Sequence, residues 1–497
     1  MVISMQSIWK ENIQLNTYPT LDKDETCQIC IVGAGLNGIV LAYLLRNYDV
    51  ILIDQDTFMN GSSSMNTGKL TAQHNDSYHK IMKKHGYNVA KNYYEHNQKA
   101  IEQVVQWHKE FNFSLTQCDT YLYSKNEDSL QKEKEAYETL QIPHRYQHHK
   151  TYTTLSMEQQ YQFHPIELAN VLLQNMPKVR CFEHTQILKY ANNITLYTPN
   201  HTITCKQVIF TTHSPSMFNE YLLFSRYKAY SSYILAKPYA YNMPFSALSI
   251  DQPSISLRTI DNNQKMYLLI CNEDHRFGIH NTTPYQNLKH KTQSISQEIL
   301  LQWQNHDYET FDLLPFIGEI RENIYISFGY NLWGNSWSIA SSLLIFEAII
   351  NQQKEQLYNY RPQRITDCLT LPFVQNNIET LYLWLKFVIL FHYHNSNGSL
   401  IIFNKKKYGY YEDDKQKILV DIHCPHLGCI LQYNKHKETW DCPCHASSFN
   451  YDGKRLSGPT TKSLAHITIK KRIGQKSYSI TIFFLSNDLL TNSLNKV

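Results

Sequence analysis

Glycine is scarce in this chain, 16 in 497 residues, where ordinary usage would give about 35. Eleven of the 16 fall at positions 33, 35, 38, 61, 68, 318, 329, 334, 428, 453 and 458. A chain this sparing keeps glycine where the backbone needs a positive φ or a close approach. Long apolar runs are missing as well. No window reaches the roughly eighteen apolar residues of a membrane-spanning helix. The nearest, 381–391, is short and contains Lys386. Residues 1–24 lack a basic start followed by an apolar stretch, so no secretory signal is expected. A large charge imbalance is absent too: net +4 and a pI near 8.3 imply no nucleic acid or other polyanionic partner. Eleven cysteines, mostly scattered, are no secreted disulfide framework, and a cytoplasmic protein is expected. The length calls for two or three domains.

What the chain does have is concentrated. Cys424-Pro425-His426-Leu427-Gly428-Cys429 is answered, twelve residues later, by Cys442-Pro443-Cys444-His445-Ala446-Ser447. Cys424 with His426, and Cys442 with His445, make two loops that each offer one thiolate and one imidazole. That set suits a [2Fe–2S] centre in which two cysteines hold one iron and two histidines the other. A tetrahedral zinc site would use the same atoms, although zinc gives no reason for Pro443 or Ser447. The pattern resembles the Rieske domains of cytochrome bc-type proteins. The resemblance implies Cys424, His426, Cys442 and His445 as ligands and a disulfide between Cys429 and Cys444. It also implies a proline loop over the cluster at Gly458-Pro459 and a hydrogen bond from Ser447 to the cluster. Phe449 stands where high-potential members carry a tyrosine, so the expected potential lies below that of quinol-oxidising relatives. Pro425 and Ala446 replace the usual threonine and glycine.

A second pattern opens the chain. An apolar strand at 27–32 runs into Gly33-Ala34-Gly35-Leu36-Asn37-Gly38, then an apolar helix, then the strand Val50-Ile51-Leu52-Ile53 ending on Asp54. Strand, G-x-G-x-x-G, helix, and an acid 21 residues after the first glycine form a dinucleotide-binding fingerprint. The glycines admit a pyrophosphate to the helix N-terminus, and Asp54 can take a ribose hydroxyl. Cys27 and Cys30 resemble a redox pair but read as buried strand residues.

Further blocks follow: Gly61 to His74 with Lys69, Val208 to Pro215 with Thr212, Asp312 to Gly318, and Tyr325 to Ser336 with Gly329 and Gly334. Together they resemble the D-amino-acid-oxidase superfamily of FAD-dependent oxidoreductases. The resemblance implies FAD held by Gly33, Gly35, Gly38, Asp54, Lys69, Thr212, Gly318, Gly329 and Gly334. The last block's helix N-terminus would face the flavin.

The expected fold is an α/β Rossmann-like FAD-binding domain with an inserted α+β substrate domain, plus a small all-β Rieske domain. The oxidoreductase spans 1–355, with FAD-binding parts at about 26–76, 161–220 and 301–355. Its substrate-domain parts lie at about 77–160 and 221–300. A linker and docking helix occupy 356–398, the Rieske domain 399–485 and a tail 486–497. By the resemblance the chain is an enzyme that moves electrons between a small amine or amino acid and an acceptor or donor protein or carrier, through FAD and the cluster. The competing reading is a non-catalytic electron-transfer or redox-sensing protein. Arg258 is a candidate for holding a substrate carboxylate, set against a structural ion-pair role, and His275 is a similar case. Surface contact of the 381–391 stretch with a membrane is a weaker alternative to docking.

Overall fold

The computed structural model describes all residues except 1–5, 12, 192–193, 215, 263–264, 280–282, 297, 390–397, 404–405, 415, 472–477 and 484–497. The expected tail, 486–497, therefore lies wholly outside the described residues. The chain divides into two units. The first comprises Met1–Pro215, Arg226–His275 and Thr282–Phe373, and the second Ser216–Ser225, Arg276–Asn281 and Val374–Val497.

The first unit is built on strand Glu25–Val32, whose second half is fully apolar and buried. That suits a central parallel strand covered on both faces. It pairs in parallel with Val50–Ile53 on one side and Thr202–Phe210 on the other. Thr202–Phe210 pairs in turn with Ile324–Phe328, and Phe316–Arg321 closes the edge antiparallel. Val32, Ile53 and Phe210 stand side by side at the carboxyl ends of their strands. In an open parallel sheet that edge is where a ligand crevice forms.

The second sheet of this unit runs Leu301–Thr310, Tyr227–Pro238, Lys265–Arg276, Ser256–Asn262, Phe245–Ser249, Leu115–Ser124, Thr153–Phe163 and Lys69–Leu70. Helices Ser77–His85, Tyr87–Phe111 and Glu127–Leu140 belong to the same insertion. The α+β insertion thus takes strands from 221–300 and helices from 77–160, but its sheet also includes Lys69–Leu70, Leu115–Ser124, Thr153–Phe163 and Leu301–Thr310, which the expected division gave to FAD-binding or helical parts.

In the second unit, five short strands from Leu400–Phe403 to Tyr478–Phe483 form one antiparallel sheet. Gln432–Asn434, Thr439–Asp441, Ser448–Asn450 and Arg455–Ser457 form another. The first Cys/His loop leads into the four-stranded sheet and the second joins its strands Thr439–Asp441 and Ser448–Asn450, over a core of Ile418, Val420, Ile422, Leu431, Trp440 and Phe449. Helix Leu371–Ile389 carries its polar residues inward: Asn376 and Thr380 are buried, while Val374, Ile378, Leu381 and Tyr382 are exposed. The bonds it makes run through that polar side. Among the described residues no helix is long and apolar enough to cross a membrane.

Candidate functional sites

The glycine turn is shaped for close backbone approach. Gly33 has φ +109°, and a Cβ there would lie 3.0 Å from the backbone of Thr211 and Thr212. At Gly38 a Cβ would sit 1.8 Å from the Gly33 carbonyl oxygen, so only glycine lets helix Leu36–Leu44 start against the turn. The Leu36 N–H donates to Ser63 Oγ at 2.9 Å, which brings the 61–65 loop over the turn. Asp54 accepts from the Ala34 N–H at 2.7 Å and the Asp56 N–H at 3.0 Å. Burial pushes its carboxyl up to about 6 against those two bonds.

Helix Gly334–Ile350 converges on the same place. Asn37 Nδ2 donates to Ser338 O, Ser341 Oγ and Ser342 Oγ, each at 2.8 Å. Asn335 Nδ2 reaches Lys69 O at 3.0 Å and Asn66 Oδ1 at 3.2 Å, and Trp333 stacks on His74 at 4.5 Å. The structure therefore gathers the glycine turn, Asp54, Thr212, the 63–69 backbone and the helix beginning at Gly334.

Other expected positions lie elsewhere. The Lys69 side chain is buried and donates to Ala247 O at 2.9 Å and Ser256 Oγ at 2.7 Å; burial drops its pKa to about 7. A Cβ on Gly318 would meet Leu357 and Pro362, and one on Gly329 would meet Thr310 and Phe316. Arg258 is buried, with Nη1 donating to Thr67 O at 2.6 Å and its guanidinium 5.0 Å from the Trp9 ring centroid. Backbone carbonyls, and no carboxylate among the described residues, take the place of the expected ion pair. His275 bonds to the Glu273 carbonyl oxygen at 3.0 Å and stacks on Tyr233.

Sequence reasoning missed Asp307. Burial pushes its carboxyl up to about 7, eased by the Tyr308 N–H at 2.8 Å. Its charge is felt at Tyr330, and its neighbour His306 accepts from Ser62 Oγ at 3.0 Å. Nothing in the strand pattern distinguishes such an acid from a surface one.

In the second unit, Cys429 and Cys444 are disulfide-bonded and tie the two loops together. The Cys424 and Cys442 thiols face each other, and Cys424 is lowered chiefly by the Cys442 hydrogen bond. Backbone N–H groups of His426 and Leu427 point at Cys424, and those of His445 and Cys444 at Cys442. The His426 and His445 rings lie 5.1 Å apart at 86°. Burial lowers His426 to about 4 and His445 to about 3, so both are neutral ligand-type imidazoles at pH 7. His445 Nδ1 is buried without a hydrogen-bond partner among the described residues, and Ser447 Oγ lies against the Cys424 thiol, which it helps to lower. An orphaned imidazole nitrogen and a hydroxyl beside two facing thiols fit a metal–sulfur group that would engage them. Gly458, at φ +98°, packs its backbone on Ser447: a Cβ there would come 2.2 Å from Ser447 Cα. The Gly458-Pro459 loop thus borders the site.

Comparison with known proteins agrees with both halves. The family model for FAD dependent oxidoreductases (DAO) matches residues 28–348, and that for the Rieske [2Fe-2S] domain residues 395–470. The chain is 31% identical over 504 aligned residues to YhfW of Bacillus subtilis, whose name carries a Rieske 2Fe-2S iron-sulfur designation; the match covers 93% of this chain and 98% of that one. A 42-residue stretch is 48% identical to the cytochrome b6-f complex iron-sulfur subunit of Microcystis aeruginosa, covering 8% of this chain and 24% of that one. Among solved structures, L-proline dehydrogenase from P. horikoshii superposes with TM-score 0.56 at 15% identity, over 69% of this chain and 98% of that one. Glycine oxidase from Geobacillus kaustophilus gives 0.56 at 14%, over 68% and 99%. These two establish the fold.

Proposed function

The chain belongs to the FAD dependent oxidoreductase (DAO) family and ends in a Rieske [2Fe-2S] domain, and on that premise we propose that it passes electrons between a small amine or amino acid and an external carrier by way of the cluster. When bound, the two cofactors supply acceptance of a two-electron equivalent from a carbon centre and its release in single electrons.

The protein's part is to hold and orient. Gly33, Gly35 and Gly38 leave room for a pyrophosphate at the N-terminus of helix Leu36–Leu44, where N–H groups and the helix dipole favour it. Asp54, held by the Ala34 N–H, would be the group to take a ribose hydroxyl. The N-terminus of helix Gly334–Ile350 favours negative charge on whatever ring lies before it. Asp307, whose carboxyl burial raises to about 7, is an acid of the second sheet whose charge changes near neutral pH. Cys424, His426, Cys442 and His445 serve as the cluster ligands, with Ser447 donating to it. The observation carrying this reading is the buried His445 Nδ1, without a partner among the described residues, and the Ser447 hydroxyl, both beside the facing Cys424 and Cys442 thiols. Besides the disulfide pair and the two ligands, seven cysteines are unpaired, which supports a cytoplasmic setting.

The test is an EPR spectrum of the anaerobically dithionite-reduced protein, with released flavin counted beside it. A rhombic signal of low average g and one FAD per chain are expected. Flavin without that signal would remove the relay and leave a flavoprotein with a metal-binding tail.

A further inference from the structure

Two stretches, Ser216–Ser225 and Arg276–Asn281, lie in sequence within the span of the oxidoreductase family match yet belong to the second unit. Both pack on the Cys/His loops. Arg276 donates through Nε to Pro443 O at 3.0 Å and through Nη2 to Cys444 O at 3.4 Å, while its Nη1 bonds Asn376 and Glu379. A Cβ on Gly278 would come 2.6 Å from Pro443 N, so that backbone lies flush against the second loop.

The other stretch brings an aromatic ring to the histidines. The Phe224 centroid is 4.5 Å from the His426 ring at 85° and 4.8 Å from the His445 ring at 80°. One phenyl ring therefore meets both imidazoles edge to face, within aromatic contact range of each. Its position is fixed from both sides. Asn219 Nδ2 donates to Pro459 O at 3.3 Å, and Asn377 Nδ2 donates to Ser225 O at 3.1 Å. The two short turns Asn219–Tyr221 and Leu223–Ser225 hold the ring between these bonds.

We propose that Phe224 is a built-in cover over the histidine edge of the cluster, so that electrons cross this ring and an external carrier does not meet the imidazoles directly. The inference rests on the cluster reading above. Phenylalanine brings no charge, proton or hydrogen bond. What it can do there is occupy the edge and keep water and other molecules off the outer faces of the two ligands.

The experiment uses full-length holoprotein and the variants Phe224→Ala, Phe224→Leu and Phe224→Tyr, each checked first by EPR for cluster content. The dithionite-reduced cluster is then oxidised in a stopped-flow instrument by ferricyanide and, separately, by ferrocenium. Each oxidant molecule takes one electron from one reduced cluster and becomes ferrocyanide or ferrocene. Expected is a several-fold faster oxidation of Phe224→Ala by both the anionic and the cationic oxidant, a smaller gain for Phe224→Leu, and the parental rate for Phe224→Tyr. Parental rates in an alanine variant with an intact EPR signal would overturn the cover. So would loss of the signal in both the alanine and leucine variants, which would make the ring part of cluster assembly. Absence of the signal in the parent would instead sink the cluster reading itself.

Discussion

At the scale of single residues, the sharpest consequences come from buried polar atoms whose partners are few. Ser447 Oγ is buried beside the Cys424 thiol of the cluster loops. A hydroxyl donating to a cluster sulfur stabilises the reduced, more negative state. Replacing Ser447 by Ala removes a charge-assisted bond of about 1–2 kcal/mol, which for a one-electron couple lowers the potential by about 40–90 mV. A redox titration followed by EPR reads this directly, and Phe449→Tyr should move the potential the other way. Asp312 and Arg364 are a different case. Both are fully buried, joined by Nε to Oδ2 at 2.5 Å and Nη2 to Oδ1 at 3.2 Å. Burial alone would raise the Asp312 carboxyl, yet the Arg364 guanidinium holds it below the usual range. A carboxylate lowered in the folded state adds stability above its unfolded pKa and loses it as pH falls through the folded value. Arg364→Met strands the carboxylate and should cost about 3–5 kcal/mol at pH 7. Because the stranded Asp312 would then protonate readily, the deficit should narrow at pH 5. Urea unfolding at the two pH values measures both.

Among elements, the strand–turn–helix around Gly33 was legible because each part is local. An apolar strand, three glycines and an apolar helix need no distant information to be recognised. The reason for Gly38 is plain in the structure: a methyl group would collide with the Gly33 carbonyl oxygen at 1.8 Å. Gly38→Ala should therefore open the turn and bring flavin per chain close to zero, while the circular dichroism of the rest survives. Flavin release followed by absorbance counts it. Lys69 was harder, because a buried ammonium can reach several strands, and its bonds to Ala247 and Ser256 depend on strands nearly 180 residues away. Gly318 is expected at the cofactor only by the resemblance, and the side chains that a Cβ there would touch are Leu357 and Pro362. Helix Leu371–Ile389 shows the limit of reading hydropathy without partners. Its apolar run suggested a docking face, but its bonds run through Asn376, Glu379 and Thr380 to Arg276.

Over the whole molecule, both halves could be recognised because each carries motifs with fixed spacing, and the two pair families of loops and glycines do not overlap. What spacing could not reveal is that Phe224 and Arg276, which precede their partners His426 and Pro443 by 202 and 167 residues, pack on the ligand loops. No periodicity marks such a contact, since it depends on how the intervening chain folds back. The two units also make separable commitments, which leads to the last prediction. Cys442 lies in the core of the second unit, and none of the groups around the glycine turn belongs to that unit. Cys442→Ser replaces a thiolate ligand by a poor one and should abolish the EPR signal, yet leave one FAD per chain. Anaerobic mixing of this variant with an oxidisable amine should still bleach the flavin, while turnover with a one-electron acceptor falls sharply. Retained turnover would mean that electrons leave the flavin without the cluster, and loss of flavin together with the signal would mean that the two units do not hold their cofactors independently.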